Sequence, residues 1–246
     1  MTRILLEVCV DDPEGLRAAQ AGGADRLELC SALALGGLTP SPALVAMAAR
    51  EGIAALAMIR PRAGDFVWTP AEIAAMESEV ALLRAAGARG VVIGANHADG
   101  RLDGAVLARL ARAAEGLDMT LHRAIDLAPD PEEAVALAVE LGFPRILTSG
   151  GAARAVDGLD RLGRMARAAA GRLIVMPGAG VSPEILPAFS GLPLTEIHAS
   201  CSAPLPAPTG KVAAFGFQPP GARRTDAARV AAMRAALDAL AQPSGL

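Results

Sequence analysis

Eight short apolar segments recur along this chain of 246 residues, and stretches rich in alanine, leucine and arginine lie between them. A strand followed by a helix, repeated eight times, is the sequence form of a single (β/α)8 barrel of the TIM type, an α/β fold. The length is close to the roughly 250 residues typical of that fold, so we predict one domain over residues 1–246. The predicted strands span residues 4–10, 26–30, 54–60, 90–94, 118–123, 145–151, 173–180 and 196–200.

Recurring junctions between the segments support the barrel. Residues 21–29, 86–94 and 141–148 each pass from a glycine through a short turn into an apolar strand, as expected where a helix ends on glycine. Several helix starts place a capping side chain before proline. We predict helices near residues 13–22, 41–50, 70–86, 103–114, 131–141, 155–169, 183–188 and 225–241. Residues 204–221 contain five prolines and no clear period, which predicts an irregular loop.

Composition narrows the class of protein. No apolar run approaches the roughly 20 residues of a membrane span, and a strand follows the first three residues directly, which leaves no room for a signal peptide. Three cysteines fit a reducing cytoplasm better than a disulfide framework. A net charge of −3, no tyrosine and one tryptophan argue against nucleic-acid binding. We therefore expect a cytoplasmic protein without nucleic-acid or membrane partners.

The first two strands carry a candidate metal site. Side chains alternate along a strand, so Glu7 shares a face with Cys9, and Glu28 with Cys30. A charged glutamate is costly against a helix layer, which places these faces inside the barrel. The two cysteines would lie roughly 5–7 Å apart at Cα, a spacing suited to a cuprous ion, with Cys201 as a possible third ligand. The alternative is that the cysteines are small buried hydrophobic residues.

The strand ends also carry a candidate enzyme site. Active sites of TIM barrels lie at the carboxyl ends of the strands, where Glu7 or Glu28 could act as a base and His122 as an acid. Arginine is suited to holding an anion, and glycine turns can offer backbone N–H groups to one. Alternatively, the glycines serve only tight turns, and the charged residues form local ion pairs. The predicted substrate-binding residues are Arg60, Thr148, Gly150, Gly151, Gly178, Gly180 and His198.

Nine ordered motifs resemble those of the CutC family over roughly residues 4–201, and more loosely in the last helix. They occupy residues 6–9, 28–31, 36–41, 58–62, 64–66, 122–126, 147–151, 176–180 and 196–198. The resemblance implies a TIM-type barrel that is cytoplasmic, often oligomeric and involved in copper homeostasis. The chain departs from the family pattern at residues 96–97 and 204–220, so no family property is transferred to those positions.

Two classes of function follow. The first is copper(I) binding at the barrel mouth through Cys9 and Cys30, without turnover. The second is a lyase, isomerase or hydrolase acting on a small polar or anionic metabolite. Whether the chain is an enzyme stays open at this point, no organic cofactor is indicated, and we expect a homo-oligomer. The two classes differ in which groups face the cavity: thiols for copper, or carboxylates and histidine for catalysis.

Overall fold

The computed structural model describes residues 3–241, so the outermost residues of the predicted domain, 1–2 and 242–246, lie outside it. Eight parallel strands form a barrel, which confirms the predicted fold. Hydrogen-bonded pairing runs in the order β7-β6-β5-β4-β3-β2-β1-β8, and within the described residues no ladder joins β7 to the adjacent β8. The strands are β1 (Leu5–Val10), β2 (Arg26–Leu29), β3 (Ala55–Met58), β4 (Gly90–Ile93), β5 (Asp118–Leu121), β6 (Arg145–Thr148), β7 (Ile174–Pro177) and β8 (Glu196–Ala199).

Helices cover the outside of the barrel. Four of them begin with a side-chain cap followed by proline, whereas Ser182, which also precedes a proline, makes no side-chain capping bond. In the helix that begins at Pro70, Thr69 and Glu72 form a reciprocal capping box. None of the described helices is long and apolar enough to cross a bilayer. The helices are α1 (Pro13–Ala21), α2 (Pro42–Arg50), α3 (Pro70–Ala85), α4 (Gly104–Ala113), α5 (Pro131–Glu140), α6 (Leu159–Ala169), α7 (Gly210–Ala214) and α8 (Ala227–Ala241).

Three predicted segments differ from the structure. The helix predicted at 183–188 is a 3-10 helix, Pro183–Phe189, because Pro187 inside it has no N–H to donate. The helix predicted at 155–169 begins with a 3-10 turn, Ala155–Gly158, before α6. The segment 204–221 is less irregular than predicted. It includes α7 and is flanked by an antiparallel pair, β9 (Ser202–Pro204) and β10 (Arg223–Thr225).

Strand alternation separates an apolar layer from a polar interior. On β1, Leu6, Val8 and Val10 are fully buried in the core between strands and helices. The intervening Glu7 is also fully buried, but it bonds to Arg26 of β2, inside the barrel. The predicted inward orientation of Glu7 is therefore confirmed. Charged groups inside a barrel need ion-pair or hydrogen-bond partners, because burying an unpaired charge is costly. These partners also position the residues at the carboxyl ends of the strands.

Candidate active site

A cavity of about 290 Å³ opens at the carboxyl ends of the strands, where the fold predicts an active site. Residues from five strands (β1, β2, β3, β6 and β8) and from the loops after β2, β3, β5, β7 and β8 surround it. The lining residues are Cys9, Glu28, Leu33, Gly36, Met58, Arg60, Phe66, His122, Arg123, Leu147, Ala179, Gly180, His198, Ala199 and Ser200. Of the predicted site residues, Cys9, Glu28, Arg60, His122, Gly180 and His198 meet in this cavity.

Glu7 lies beneath the cavity and fixes His198. Its Oε1 is 2.8 Å from His198 Nδ1, and its Oε2 accepts a bond of 2.5 Å from Arg26 Nε. Burial by itself raises the pKa of Glu7, but the hydrogen bond to His198 and the charge of Arg26 outweigh burial and lower it to about 2. Glu7 is therefore ionised with both oxygens occupied. The structure places it as a support for His198, whereas the sequence had suggested a base.

A chain of buried charges continues below Glu7. Arg26 also bonds to Glu196, and Glu196 accepts a bond of 3.1 Å from Arg145. Arg145 in turn donates to Asp118 over 2.8 Å, at the amino-terminal end of β5. Positive and negative groups alternate along the chain, so each buried charge has a partner. The lower half of the barrel is thus filled by an ion network, and the open space is confined to the mouth.

Glu28 faces the cavity with one oxygen free. Its Oε2 accepts from the Cys30 thiol at 3.6 Å and lies 3.9 Å from His198 Nε2. Its Oε1 is buried and has no hydrogen-bond partner among the described residues. Burial and the charge of Glu7 raise the pKa of Glu28 despite the opposing effect of His198. A carboxyl group with a raised pKa and an open oxygen has the properties of a general base.

His198 carries a proton between the two glutamates. Burial by itself lowers its pKa, but the charge of Glu28, the Cys9 thiol and the hydrogen bond to Glu7 raise that pKa well above its usual value. The ring is therefore an imidazolium near neutral pH. Gly178 of the turn after β7 leaves room for it, because a Cβ at that position would lie 3.3 Å from His198 Cβ and 2.5 Å from Leu147 Cδ1. Gly178 thus acts sterically, and its N–H donates to the Thr148 carbonyl.

His122 is a neutral donor. Burial and the nearby charge of Arg60 lower its pKa to about 3, and its Nδ1 accepts from the Ala124 N–H at 3.1 Å. The remaining hydrogen must then sit on Nε2, which is buried without a partner among the described residues. Gly94 makes space for this ring, since a Cβ there would lie 2.2 Å from His122 Cε1. The sequence proposed His122 as an acid; the structure makes it a neutral hydrogen-bond donor.

Arg60 joins two loops and keeps one nitrogen free. Its Nη1 donates to the carbonyls of Leu35 and Gly37, and its Nη2 donates to that of Gly64. The guanidinium carbon lies 5.1 Å from the centre of the Phe66 ring, which also contacts His122 at 4.7 Å between ring centres. The buried Nε has no partner within the described part of the chain. Arg60 therefore offers its Nε–H to a ligand, while most of its guanidinium holds the two loops together.

The glycine turn after β6 is already occupied by the protein's own carboxylate. Asp126 accepts from the Ser149 and Gly151 amides and from the Thr148 hydroxyl, at distances of 2.6–3.1 Å. The Gly150 amide donates to Thr148 Oγ1 over 2.9 Å. Thr148, Gly150 and Gly151 were predicted to bind substrate, but their donors meet Asp126 or, for Gly150, the Thr148 hydroxyl, and none of the three residues lines the cavity. The sequence reading missed this because Asp126 precedes the turn by more than 20 residues.

The cysteines are arranged differently from the predicted pair. Cys9, Glu28 and His198 each offer a ligand atom, and these atoms all lie within 4.8 Å of one another. Cys30 is not part of this group; it packs with Leu56, Met58 and Val92 and turns its thiol toward Glu28. Cys201 lies outside the group too, and burial raises its pKa to about 12. The group of candidate metal ligands in the described residues is thus a mixed set of sulfur, nitrogen and oxygen atoms that includes Cys9 but not Cys30.

Several lining residues were not predicted as site residues. Arg123 forms an ion pair with Asp126 at 2.8 Å and also lines the cavity. Phe66, in the loop after β3, lines it as well. Ala179 and Ser200 follow β7 and β8 directly, so their position after a strand was the available signal. Small and apolar residues carry little chemical signature, which explains why the sequence did not single them out.

Comparisons with known proteins agree on the family. The model of the CutC family matches residues 4–203. A family protein CutC of Rhizobium meliloti is 54% identical over 240 residues, or 97% of this chain and 98% of the relative. Its counterpart in Caulobacter vibrioides is 51% identical over 97% of this chain and 98% of that protein. A solved structure from Streptococcus agalactiae, provisionally described as a copper homeostasis protein CutC, has a TM-score of 0.76 at 28% identity, covering 80% of this chain and 98% of that chain. Since these relatives align over nearly their whole length, the chain belongs to the CutC family.

Proposed function

We propose that this protein is an enzyme that performs acid–base chemistry on a small carbonyl-containing metabolite in the cavity. One observation carries the proposal. Glu28 Oε1, Arg60 Nε and His122 Nε2 are buried polar atoms without hydrogen-bond partners in the described chain, and all three belong to residues that line the same cavity. Leaving such atoms unsatisfied costs about 1–3 kcal/mol each, so a ligand that pairs with them gains binding energy.

The three groups complement one kind of ligand. Arg60 and His122 present N–H donors, which suit an electron-rich carbonyl oxygen, whereas Glu28 presents an acceptor for an acidic proton. A neutral imidazole is a suitable donor here, because its N–H can form a hydrogen bond to an oxyanion as that charge develops. The combination favours a substrate in which a carbonyl stands next to an acidic C–H or O–H bond.

The proposed step is enolisation. Ionised Glu28 removes the proton from the carbon next to the carbonyl. The electron pair of the broken C–H bond forms a C=C bond, and the carbonyl π electrons move to oxygen. Arg60 and His122 stabilise the resulting oxyanion by hydrogen bonding. Where the deprotonated carbon carries a hydroxyl group, transfer of the hydroxyl proton to the oxyanion and return of the carbon proton from Glu28 to the former carbonyl carbon give an isomerase. Where the carbon beyond it carries a leaving group, re-forming the carbonyl expels that group with its bonding electrons and gives a lyase. Of the reaction types proposed from the sequence, these two fit better than hydrolysis.

The first expected result concerns ligand binding. In a panel containing dihydroxyacetone, glyceraldehyde, pyruvate and oxaloacetate, at least one compound should raise the melting temperature. His122→Phe keeps the ring against Phe66 but removes Nε2–H, so the affinity for that compound should fall about tenfold. His97→Phe is the matched control, because His97 is exposed and does not line the cavity. A panel without any stabilising compound, or equal affinity in His122→Phe, would contradict the proposed enzyme site.

A second candidate function is copper(I) binding, favoured by the ligand group of Cys9, Glu28 and His198. Thiolate and imidazole are ligands that bind cuprous copper well. His198 could offer Nε2 to the ion while its Nδ1 stays on Glu7, an arrangement common among metal-bound histidines. Binding would displace protons from Cys9 and His198, so affinity should rise with pH. The solved relative described in terms of copper homeostasis adds weight to this candidate.

The second expected result separates Cys9 from Cys30. In an anaerobic titration of copper(I) against a competing chelator, Cys9→Ser should abolish tight binding. Cys30→Ser should retain it, because Cys30 lies outside the ligand group. Serine is nearly isosteric with cysteine, so both variants should keep the fold. Unchanged copper affinity in Cys9→Ser would rule out this site, and equal losses in both variants would restore the two-thiolate site predicted from the sequence.

A further inference from the structure

The side of the cavity formed by β5 to β8 presents a second set of donors. Arg123 lines the cavity, and its Nε donates to Asp126 at 2.8 Å while its Nη2 donates to Ser149 Oγ at 2.8 Å. These two bonds fix the guanidinium plane. Within the described residues no acceptor meets its Nη1. Arg123 is thus a cation held in place with one N–H edge available.

The turn after β7 supplies backbone donors on the same side. Ala179 and Gly180 both line the cavity and both have left-handed backbone, with φ of 79° and 69°. The Ala179 carbonyl accepts from the Ala155 amide at 3.0 Å, which anchors the turn to the next loop. The N–H groups of Ala179 and Gly180 have no acceptor in the described chain. Successive N–H groups in such a turn form a concave site for an anion.

An independent observation indicates that a ligand enters this cavity. The unpartnered atoms of Glu28, Arg60 and His122 are buried, and their residues come from β2, β3 and β5. The β6 turn cannot bind an external anion, because Asp126 already accepts from its amides. The β7 turn and Arg123 are therefore the donors that we assign to an anionic group of the ligand. The carbonyl-binding residues and the anion-binding residues thus form two sets that line one cavity.

We infer that the ligand is a short bifunctional metabolite, with a carbonyl at one end and an oxyanion, phosphate or carboxylate, at the other. This inference rests on the proposed enzyme function and narrows its substrate class. A cavity of about 290 Å³ holds roughly ten non-hydrogen atoms. A three- or four-carbon compound with one phosphate or carboxylate group has that size. Arg123 and the amides of Ala179 and Gly180 bind the oxyanion and thereby orient the carbonyl toward Arg60 and His122.

Inorganic phosphate and acetate serve as probes for the oxyanion end. In 15N-labelled protein, phosphate should shift the amide resonances of Ala179 and Gly180, and acetate should do so if a carboxylate is preferred. Arg123→Gln should weaken binding of the preferred anion about tenfold, because a charge-assisted hydrogen bond is lost. Arg109→Gln is the matched control: Arg109 is also ion-paired, but with Glu77 of α3, away from the cavity. Its affinity should stay unchanged.

Three results would overturn the inference. The amides of Ala179 and Gly180 could stay unshifted by both anions, Arg123→Gln could bind the anion as tightly as the wild type, or Arg109→Gln could lose as much affinity as Arg123→Gln. The amide shifts are measured on the wild type, so they stand even if Arg123→Gln fails to fold. Glu28→Gln should still bind the anion. If the anion binds as expected but no carbonyl compound does, the proposed function fails while the oxyanion site stands.

Discussion

Arg26→Met is expected to destabilise the protein by about 3–5 kcal/mol, the cost typical of removing one partner from a buried ion pair. Arg26 is only 5% exposed and bonds to Glu7 and Glu196 inside the barrel. Methionine fills similar space without the charge, so two buried carboxylates lose their shared partner. Urea denaturation measures the free energy of unfolding. Arg109→Met, which breaks an exposed ion pair with Glu77, should change it far less, because solvent screens that pair.

The same variant should also change how the free energy of unfolding depends on pH at acidic values. The folded pKa of Glu7, about 2, lies below its ordinary value of 4.5. Ionised Glu7 therefore contributes stability above pH 4.5, and the contribution is lost as the pH falls from 4.5 toward 2. Without Arg26 the pKa of Glu7 should rise, so less of this pH dependence remains. If Arg26→Met lowers the free energy of unfolding by less than about 1 kcal/mol and leaves its pH dependence at acidic values unchanged, the network contributes little to stability.

The ion network also shows what strand alternation can and cannot predict. Alternation placed Glu7 and Glu28 inside the barrel, because a carboxylate against the helix layer would be too costly. It did not identify their partners. Arg26 is 19 residues from Glu7 and 170 from Glu196, so their contacts depend on the closure of the barrel. Strand alternation predicts the side of the sheet to which a side chain points, whereas its contact partners depend on the three-dimensional fold.

Glycine-rich turns illustrate the same limit. The turns after β6 and β7 look alike in sequence, and both were predicted to bind an anion. Asp126 fills the first of them, while the Ala179 and Gly180 amides of the second have no acceptor in the described chain. A glycine in the sequence indicates a left-handed backbone conformation, but it does not indicate which group accepts hydrogen bonds from the turn. In the turn after β6, that acceptor comes from another part of the chain. The family resemblance had the same limit: it indicated the barrel, and the comparisons confirmed the family, but the roles of the mouth residues rest on geometry.

The polar interior has three levels with different tasks. The lowest is the ion network, in which each charged group has a partner among residues 3–241. Above it, His198 lies between Glu7 and Glu28 and so connects the network to the cavity. At the top, Glu28, Arg60 and His122 each keep one atom free for a ligand. Copper binding and acid–base catalysis would share Glu28 and His198, so the two proposed functions would compete for the same groups.

Glu28→Gln is expected to lower the rate of enolisation about 10²–10⁴-fold, the usual contribution of a general base. The amide preserves the shape of the side chain but cannot accept a proton from carbon. Because burial raises the pKa of Glu28, replacing this carboxyl by a neutral amide should cost little stability. The rate can be followed as exchange of the C–H protons of dihydroxyacetone, or of whichever panel compound binds, into deuterium oxide by NMR. Glu77→Gln is the control, since Glu77 pairs with Arg109 outside the cavity.

The pH dependence of this exchange rate tests whether Glu28 is the base or a structural residue. In the wild type, the rate should rise with pH as Glu28 ionises, at a pKa above its ordinary 4.5. Glu28→Gln should abolish the rising limb, whereas a variant that only loosens the fold would lower the rate at every pH and keep the profile. A normal rate, or an unchanged rising limb, in Glu28→Gln would exclude Glu28 as the base.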